Sequence, residues 1–235
     1  MHSEKLDPAT QRKGDFKEAF NLDVSSNAHQ PLPRVLQAEK AVLAEFEACC
    51  RQVTTRLLDL LALGLGKEPD FFSSKHNASK PSGTVLRLLY YPAIDERFEQ
   101  GDIRAGAHTD YGTLTLLFVK AGGSGLEVRP PYSATDAWQA IPPPAEARTD
   151  EDCVPILVNV ADQLELWTDG LLKSTLHRVM ATADKGDRYS IAYFCHPDDD
   201  TVLSMKPNET NRAVREEEIT AGEHLKRRLA ATYEY

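Results

Sequence analysis

Short β-type runs dominate the chain after Pro81 and limit the folds that it can adopt. Each run has the length of a strand, and Gly, Pro, Asp or Asn residues separate it from the next, as in strands joined by turns. Many short strands without intervening helices indicate a β-sandwich, a jelly roll or a barrel. The runs cover residues 84–91, 113–119, 125–129, 154–160, 164–167, 172–180 and 188–195. Residues 130–152, rich in Pro, Ala and acidic residues, predict a long surface loop.

Two helices are expected outside this β-rich region. Apolar residues at steps of three, four or seven predict a long N-terminal helix that Gly64 and Gly66 terminate. A coiled coil would show a similar stripe, but we favour a helix laid across a sheet, because its outward face also has leucines. Thr220 and Glu223 form a capping-box pattern that predicts a C-terminal helix. The stripe consists of Leu36, Leu43, Phe46, Cys50, Val53, Leu57 and Leu60.

Charge and cysteine content narrow the classes of function. The 235 residues include 27 Lys and Arg against 36 Asp and Glu, a formal net charge of −9. A nucleic-acid partner is not expected, because phosphate recognition needs a basic face. The apolar runs are far shorter than the roughly 20 residues that cross a bilayer, so no membrane association is expected. Four cysteines without paired spacing suit a reducing compartment. We expect a cytoplasmic protein, as a monomer, that acts on a small molecule.

A His-x-Asp pair, His108 and Asp110, is the first candidate for chemistry. Residues i and i+2 of an extended chain point to the same side, so an imidazole and a carboxylate can bind one ion from one face. Gly112 then permits the turn into the next strand. Taken alone, the pattern is weak, because an isolated match is more often a surface turn.

Two later segments supply residues that would complete a metal site and a carboxylate site around this pair. His177 lies in a β-type run, where a single histidine is more often packed than ligating. Arg188 and Ser190 share one face of the last strand, where they present a guanidinium and a hydroxyl to a carboxylate; an exposed ion pair is the simpler explanation of that arginine alone. Together with His108 and Asp110, His177 completes the 2-His-1-carboxylate set that leaves open positions on non-haem Fe(II).

A series of ordered motifs resembles those of the Fe(II)- and 2-oxoglutarate-dependent dioxygenases, in the branch similar to isopenicillin N synthase and the plant and fungal oxidases. The motifs follow the family's order from Leu86 to Pro197, and residues 219–233 resemble its closing helix. The resemblance indicates the family but not the substrate. The motifs are residues 86–92 (LRLLYYP), 107–117 (AHTDYGTLTLL), 125–129 (GLEVR), 158–162 (VNVAD), 167–170 (WTDG), 173–179 (KSTLHRV) and 188–194 (RYSIAYF).

This resemblance implies a mainly β fold with flanking helices. The expected core is a distorted double-stranded β-helix, or jelly-roll barrel, with the long N-terminal helix packed outside it and a C-terminal helix. By their places in the motifs, His108, Asp110 and His177 would be the iron ligands. Arg188 and Ser190 would hold the distal carboxylate of 2-oxoglutarate.

The resemblance also bears on three positions of the strand 84–91 and on one position of the last strand. Tyr91, directly before Pro92, falls where the family often places a further contact to the co-substrate, whereas Tyr90 is expected to pack in the core or at the barrel mouth. Leu89 stands where many plant relatives have a polar Asn. Phe194 is the candidate substrate contact, together with the loop 196–200 and N- and C-terminal helical segments.

The implied reaction uses Fe(II), 2-oxoglutarate and O₂. Oxidative decarboxylation of 2-oxoglutarate would be coupled to hydroxylation, desaturation or ring closure of a small organic metabolite, as in secondary metabolism. Two alternatives stay open. One is an Fe(II) oxidase of the same family that does not use 2-oxoglutarate, and the other is a truncated, inactive member that serves as a binding protein.

The N-terminal region is expected to be shorter than in the family. Residues 14–21 resemble a stretch that relatives have well inside their N-terminal region, so we expect the portion before it to be absent, in a fragment, an incomplete gene model or a naturally shortened protein. We expect an N-terminal helical segment over residues 1–80, the jelly-roll core over 81–200, and a C-terminal extension and helix over 201–235.

Overall fold

Two antiparallel sheets form the body of the protein. The computed structural model describes residues 15–24, 30–93, 102–142, 155–182, 186–205 and 218–233. The strands are β1 (Glu18–Asp23), β2 (Val85–Tyr91), β3 (Ile103–His108), β4 (Leu114–Val119), β5 (Leu126–Arg129), β6 (Gln139–Ala140), β7 (Leu157–Val160), β8 (Leu176–Met180) and β9 (Arg188–Cys195). The larger sheet has the order β1-β2-β9-β4-β7 and the smaller one the order β3-β8-β5-β6. The prediction of a mainly β jelly-roll fold is confirmed.

The long helix α2 (Lys40–Gly64) follows a short helix, α1 (Arg34–Ala38), after a break at Glu39. Its buried residues recur every four positions and face the main core. The ring centroid of Phe46 is 4.9 Å from that of Phe118 on β4. The helix therefore lies across the larger sheet. One residue of the predicted stripe is misplaced, because Leu60 is 64% exposed. The buried residues of α2 are Cys50, Thr54, Leu58 and Ala62.

Residues 164–167, expected to be a strand, belong to the helix α3 (Asp162–Trp167). Leu164 and Trp167 are both buried, which is the three-residue spacing of a helix face. Asp162 stands in the first turn, where a carboxylate interacts favourably with the helix dipole. The prediction was wrong because an apolar run of four residues does not distinguish a short buried strand from a helical turn.

The N-terminal segment contributes a strand that the sequence patterns do not predict. β1 pairs antiparallel with β2 and extends the larger sheet. It was missed because its polar sequence, EAFNLD, has only two large apolar residues. The proposed boundaries at residues 80/81 and 200/201 stay a prediction.

The C-terminal helix α4 (Ala221–Tyr233) begins where its capping pattern predicts. The backbone N–H of Glu223 donates to Thr220 Oγ1 over 3.3 Å. In the predicted loop 130–152, the short strand β6 pairs with β5, whereas residues 143–152 lie outside the described residues. No helix in the described part of the chain is both long and apolar enough to cross a membrane.

Packing of α2 on the sheet predicts a large difference between two leucines of the same helix. Leu58 is fully buried and Leu60 is 64% exposed. Leu58→Ala should lower the free energy of unfolding by about 2–5 kcal/mol, because it leaves a cavity in the core. Leu60→Ala, the matched control, should change it by less than about 0.5 kcal/mol. Urea denaturation followed by circular dichroism measures both, and equal losses would show that α2 does not pack through the Leu58 face.

Candidate functional site

A cavity of about 470 Å³ is lined by residues of both sheets. In β2 and β9 alternate residues face it, because successive side chains of a strand point to opposite sides. From the other set, Leu86 and Tyr193 are buried in the core that contains α2. The register between these strands therefore decides which side chains share the cavity. The inward residues of the two strands are Val85, Arg87, Leu89, Tyr91, Arg188, Ser190, Ala192 and Phe194.

Three side chains with metal-binding atoms meet at this cavity: His108, Asp110 and His177. Their ligand atoms all lie within 4.8 Å of one another. Asp110 Oδ1 is 4.0 Å from His108 Nε2 and 3.7 Å from His177 Nε2. In the part of the chain that the structure describes, no other group of His, Cys, Asp or Glu converges in this way. Such a set of two imidazoles and one carboxylate suits non-haem Fe(II).

Strand pairing brings the two histidines together, and backbone carbonyls orient their rings. His108 and His177 are partners in the β3–β8 ladder, with ring centroids 4.3 Å apart. His108 Nδ1 is 2.7 Å from the carbonyl oxygen of Gly106, and His177 Nδ1 is 2.9 Å from that of Thr175. A carbonyl only accepts, so each Nδ1–H donates. In a neutral ring held this way, Nε2 has no proton and can bind a metal.

Asp110 is held from a neighbouring strand and from α3. The amide of Asn159 on β7 donates from Nδ2 to Asp110 Oδ2 over 2.9 Å, which leaves Oδ1 facing the two histidines. The backbone N–H of Asp162 donates to the carbonyl oxygen of Asp110 over 2.9 Å. The sequence patterns did not single out Asn159; its signal is a lone amide between two valines of an apolar strand.

The surroundings set the protonation that metal binding requires. Burial, and then the nearby His177, lower the pKa of His108 to about 3, so this imidazole is neutral at pH 7. For Asp110, burial raises the pKa, but the two histidines and the hydrogen bond from Asn159 outweigh it and lower the pKa overall. A neutral imidazole and an ionised carboxylate are the forms that bind a metal ion.

A buried arginine faces the same cavity. Arg188 is only 3% exposed, and its Nη1 donates to Ser190 Oγ over 3.1 Å. Tyr91, its partner in the β2–β9 ladder, places its ring centroid 5.0 Å from the guanidinium carbon. Burial lowers the pKa of Arg188, and the contact with Tyr91 opposes this shift. The arrangement suits a carboxylate ligand. The apolar residues that line the cavity include Leu89, Ala105, Leu117, Leu126, Leu157 and Val179.

The neighbouring tyrosines on β2 face opposite sides of the sheet. Tyr91 lines the cavity, whereas Tyr90 stacks on Tyr189 with ring centroids 5.0 Å apart and donates its hydroxyl to Asp187 over 3.1 Å. Leu89 also lines the cavity, with an apolar side chain.

Phe194 lines the cavity, and so does His196, which follows β9. His196 is 6% exposed, and its buried Nδ1 has no hydrogen-bond partner among the described residues. Burial lowers its pKa to about 3, so the ring is neutral. Two glycines lie close to its ring: a Cβ on Gly83 would overlap Leu225 Cδ2 and lie 3.0 Å from His196 Nδ1, and one on Gly112 would overlap the Cys195 carbonyl oxygen and lie 2.9 Å from His196 Cδ2. The loop 196–200 after β9 was expected to contact substrate. His196, the first residue of that loop, lines the cavity.

The two ends of the chain also contribute to the cavity. Leu225 and Leu229 of α4 line it. Arg228 of the same helix pairs with Asp162 over 3.1 Å and donates to Thr109 Oγ1 over 3.1 Å, which ties α4 to the loop between the candidate ligands. The N-terminal contribution was expected from a helix but comes from β1 and the residues before it. These residues are Lys17, Asn21 and Asp23.

Comparisons with known proteins agree with this geometry. Residues 82–197 match the family model described as the 2OG-Fe(II) oxygenase superfamily. UPF0676 protein C1494.01 of Schizosaccharomyces pombe is 39% identical over 99% of this chain and 69% of its own length. Proline hydroxylase buaE of Petromyces alliaceus is 34% identical over 98% and 73%. A full-length Neurospora crassa protein crystallised in complex with alpha-KG and thymine superposes with a TM-score of 0.76 and 30% identity, covering 99% of this chain and 73% of that one.

The hydrogen bond from Asn159 to Asp110 predicts a measurable contribution to metal affinity. Asn159→Leu removes the donor while keeping the size of the side chain, so Asp110 loses the contact that directs Oδ1 toward the histidines. We expect the affinity for Co(II), followed by its visible absorption, to fall by about 10-fold or more. The matched control is Asn21→Leu, which changes another amide of the cavity lining. Equal Co(II) affinity in both variants would contradict a role for Asn159 in orienting Asp110.

Proposed function

The chain belongs to the 2OG-Fe(II) oxygenase superfamily, and on that premise we propose that it uses Fe(II), 2-oxoglutarate and O₂ to oxidise a small organic molecule. One observation supports this most directly. The cluster of His108, Asp110 and His177 shares a single cavity with the buried guanidinium of Arg188. An Fe(II) oxygenase that uses 2-oxoglutarate needs both a metal with open positions and a cation for the distal carboxylate.

We propose that His108, Asp110 and His177 hold the iron. Their donor set suits Fe(II), and the hydrogen bonds at Nδ1 leave each Nε2 available to the metal. When bound, Fe(II) supplies open positions for the co-substrate and O₂ and the redox chemistry that side chains lack. The residues around the metal position orient its ligands. Asn159 keeps one carboxylate oxygen of Asp110 facing the metal position.

We propose that Arg188, Ser190 and Tyr91 orient 2-oxoglutarate through its distal carboxylate. A guanidinium and a hydroxyl separated by 3.1 Å offer two hydrogen-bond donors to one carboxylate. The apolar side chains of the cavity exclude water, so the charge of Arg188 acts more strongly on this anion than it would in solvent.

The overall reaction, for hydroxylation, consumes one O₂ and one 2-oxoglutarate for each C–H bond oxidised. One oxygen atom enters succinate and the other the new hydroxyl group, and CO₂ leaves. The protein must therefore place the substrate's C–H bond beside the metal position. Phe194, His196 and Leu225 line the same cavity and are our candidates for this role.

The substrate proposed here is a small organic molecule with an apolar part and a polar group. Apolar contacts would come from Phe194 and α4, and hydrogen bonds from His196 and the polar residues of β1 and β2. Proline hydroxylase buaE and the thymine complex of the Neurospora crassa protein suggest L-proline and thymine as first test compounds. A cytoplasmic monomer with a role in secondary metabolism is part of the proposal, and biosynthetic genes beside its gene would support that role.

Turnover of 2-oxoglutarate tests the proposed reaction. We expect the Fe(II)-loaded protein to convert 2-oxoglutarate to succinate in an O₂-dependent way, faster when a substrate from a panel including L-proline and thymine is present. Succinate measured by mass spectrometry, beside the oxidised product at one equivalent, establishes the coupling. Asp110→Ala should abolish turnover, since it removes the carboxylate of the metal-binding set. Turnover of a panel substrate without succinate would instead indicate an Fe(II) oxidase that does not use 2-oxoglutarate.

Removal of the buried guanidinium should weaken co-substrate binding without affecting the metal. We expect Arg188→Gln to raise the Kd of 2-oxoglutarate about 30-fold or more, because a buried charge–charge contact is worth roughly 2 kcal/mol or more. Anaerobic titration of the Fe(II) protein, followed by the weak visible charge-transfer band of the chelate, measures this Kd. The control is Arg129→Gln, an arginine that stacks on Trp138 away from the cavity lining. Equal loss of Fe(II) and 2-oxoglutarate affinity in Arg188→Gln would refute the assignment.

A further inference from the structure

We propose that Arg104 is a positioning residue for 2-oxoglutarate, which acts by holding Tyr91 and Arg188 in place. The inference rests on the proposed function, since it concerns the site of the distal carboxylate. Arg104 belongs to β3, in the sheet opposite the strands that contain Tyr91 and Arg188. It is absent from the described residues that line the cavity, so it acts through its neighbours rather than by touching the co-substrate.

The guanidinium of Arg104 joins the two backbone segments that position these neighbours. It is 2% exposed; its Nη2 donates to the carbonyl oxygen of Pro92 over 2.6 Å, and its Nη1 to that of Gly186 over 3.4 Å. Pro92 directly follows Tyr91 at the end of β2. Gly186 stands two residues before Arg188, at the start of β9. The side chain of Arg104 therefore fixes the end of β2 against the beginning of β9, its neighbour in the sheet.

Arg104 also contacts the aromatic ring of Tyr91. Its guanidinium carbon lies 5.4 Å from the ring centroid of Tyr91, and that of Arg188 lies 5.0 Å from the same centroid. A cation over an aromatic face is worth about 0.5–2 kcal/mol, with the larger values where water is excluded. The Tyr91 ring is thus held by one cation and supports the other. Movement of this ring would change the direction in which Arg188 points.

A pair of ligands separates positioning from stability. 2-Oxopentanoate has the keto acid and the carbon chain of 2-oxoglutarate but a methyl group in place of the distal carboxylate. The ratio of the two Kd values on the anaerobic Fe(II) protein therefore reports the contribution of the carboxylate site alone. We expect Arg104→Gln to reduce the preference for 2-oxoglutarate about 10-fold, with the affinities for Fe(II) and 2-oxopentanoate unchanged. Arg104→Lys, which keeps the charge but loses the planar fork, should reduce it by a smaller factor.

Matched variants complete the experiment. Arg129→Gln removes an arginine that stacks on Trp138 outside the cavity, and it should leave the preference unchanged. In a Tyr91→Leu background, Arg104→Lys should have less effect than in the wild type, because the ring that links Arg104 to Arg188 is missing. Should Arg104→Gln fail to fold, Arg104→Lys and this background comparison decide the question.

Two outcomes would overturn the inference. If the Arg104 variants keep the wild-type preference for 2-oxoglutarate, or if they lose both keto acids and Fe(II) in parallel, then Arg104 is only a structural clamp. A wild-type protein that does not prefer 2-oxoglutarate over 2-oxopentanoate would remove the proposed function as well. The preference of the wild type therefore distinguishes failure of this inference from failure of the proposed function.

Discussion

The antiparallel register between β2 and β9 is the constraint on which the site depends. Tyr91 pairs with Arg188, and Leu89 with Ser190, so all four face the cavity together. Because side chains alternate along a strand, a slip of one residue would turn Arg188 toward the outer face and bring Tyr189 inward. Further along the same two strands, Leu86 and Tyr193 face the other way and pack in the core with α2, and their burial holds the register. The buried cation is thus placed by hydrophobic packing on the opposite face.

Much of the site could be predicted because its pairs are local in sequence. His108 with Asp110, and Arg188 with Ser190, are i,i+2 pairs, whose common direction follows from the geometry of an extended chain. The contacts that support them are not local. The hydrogen bond between Asn159 and Asp110 spans 49 residues, and it depends on the pairing of β4 with β7, which no local pattern specifies.

The fold was predictable where the hydrophobic pattern was long and failed where it was short or polar. The strands β2, β4 and β9 have six or more residues, and each was predicted within a residue of its bounds. The run 164–167 is too short for its period to be recognised, and it forms part of α3. Two strands of six residues were missed. β1 lies at the edge of the sheet and most of its residues are exposed, and β3, with the sequence IRAGAH, has only one large apolar residue. Packing against β2, rather than its own sequence, makes β1 a strand.

Different elements of the structure supply the candidate ligands for iron and 2-oxoglutarate and the candidate contacts to the substrate. His108, His177, Arg188 and Tyr91 lie on paired strands, and Asp110, in the loop after β3, is held by hydrogen bonds from Asn159 and Asp162. Leu225 and Leu229 come from α4, whose tie to the body includes the partly exposed pair of Arg228 and Asp162. None of the residues proposed to bind iron or 2-oxoglutarate lies on α4 or β1. Selection for a new substrate can therefore act on α4 and β1 without disturbing the residues proposed to bind iron and 2-oxoglutarate.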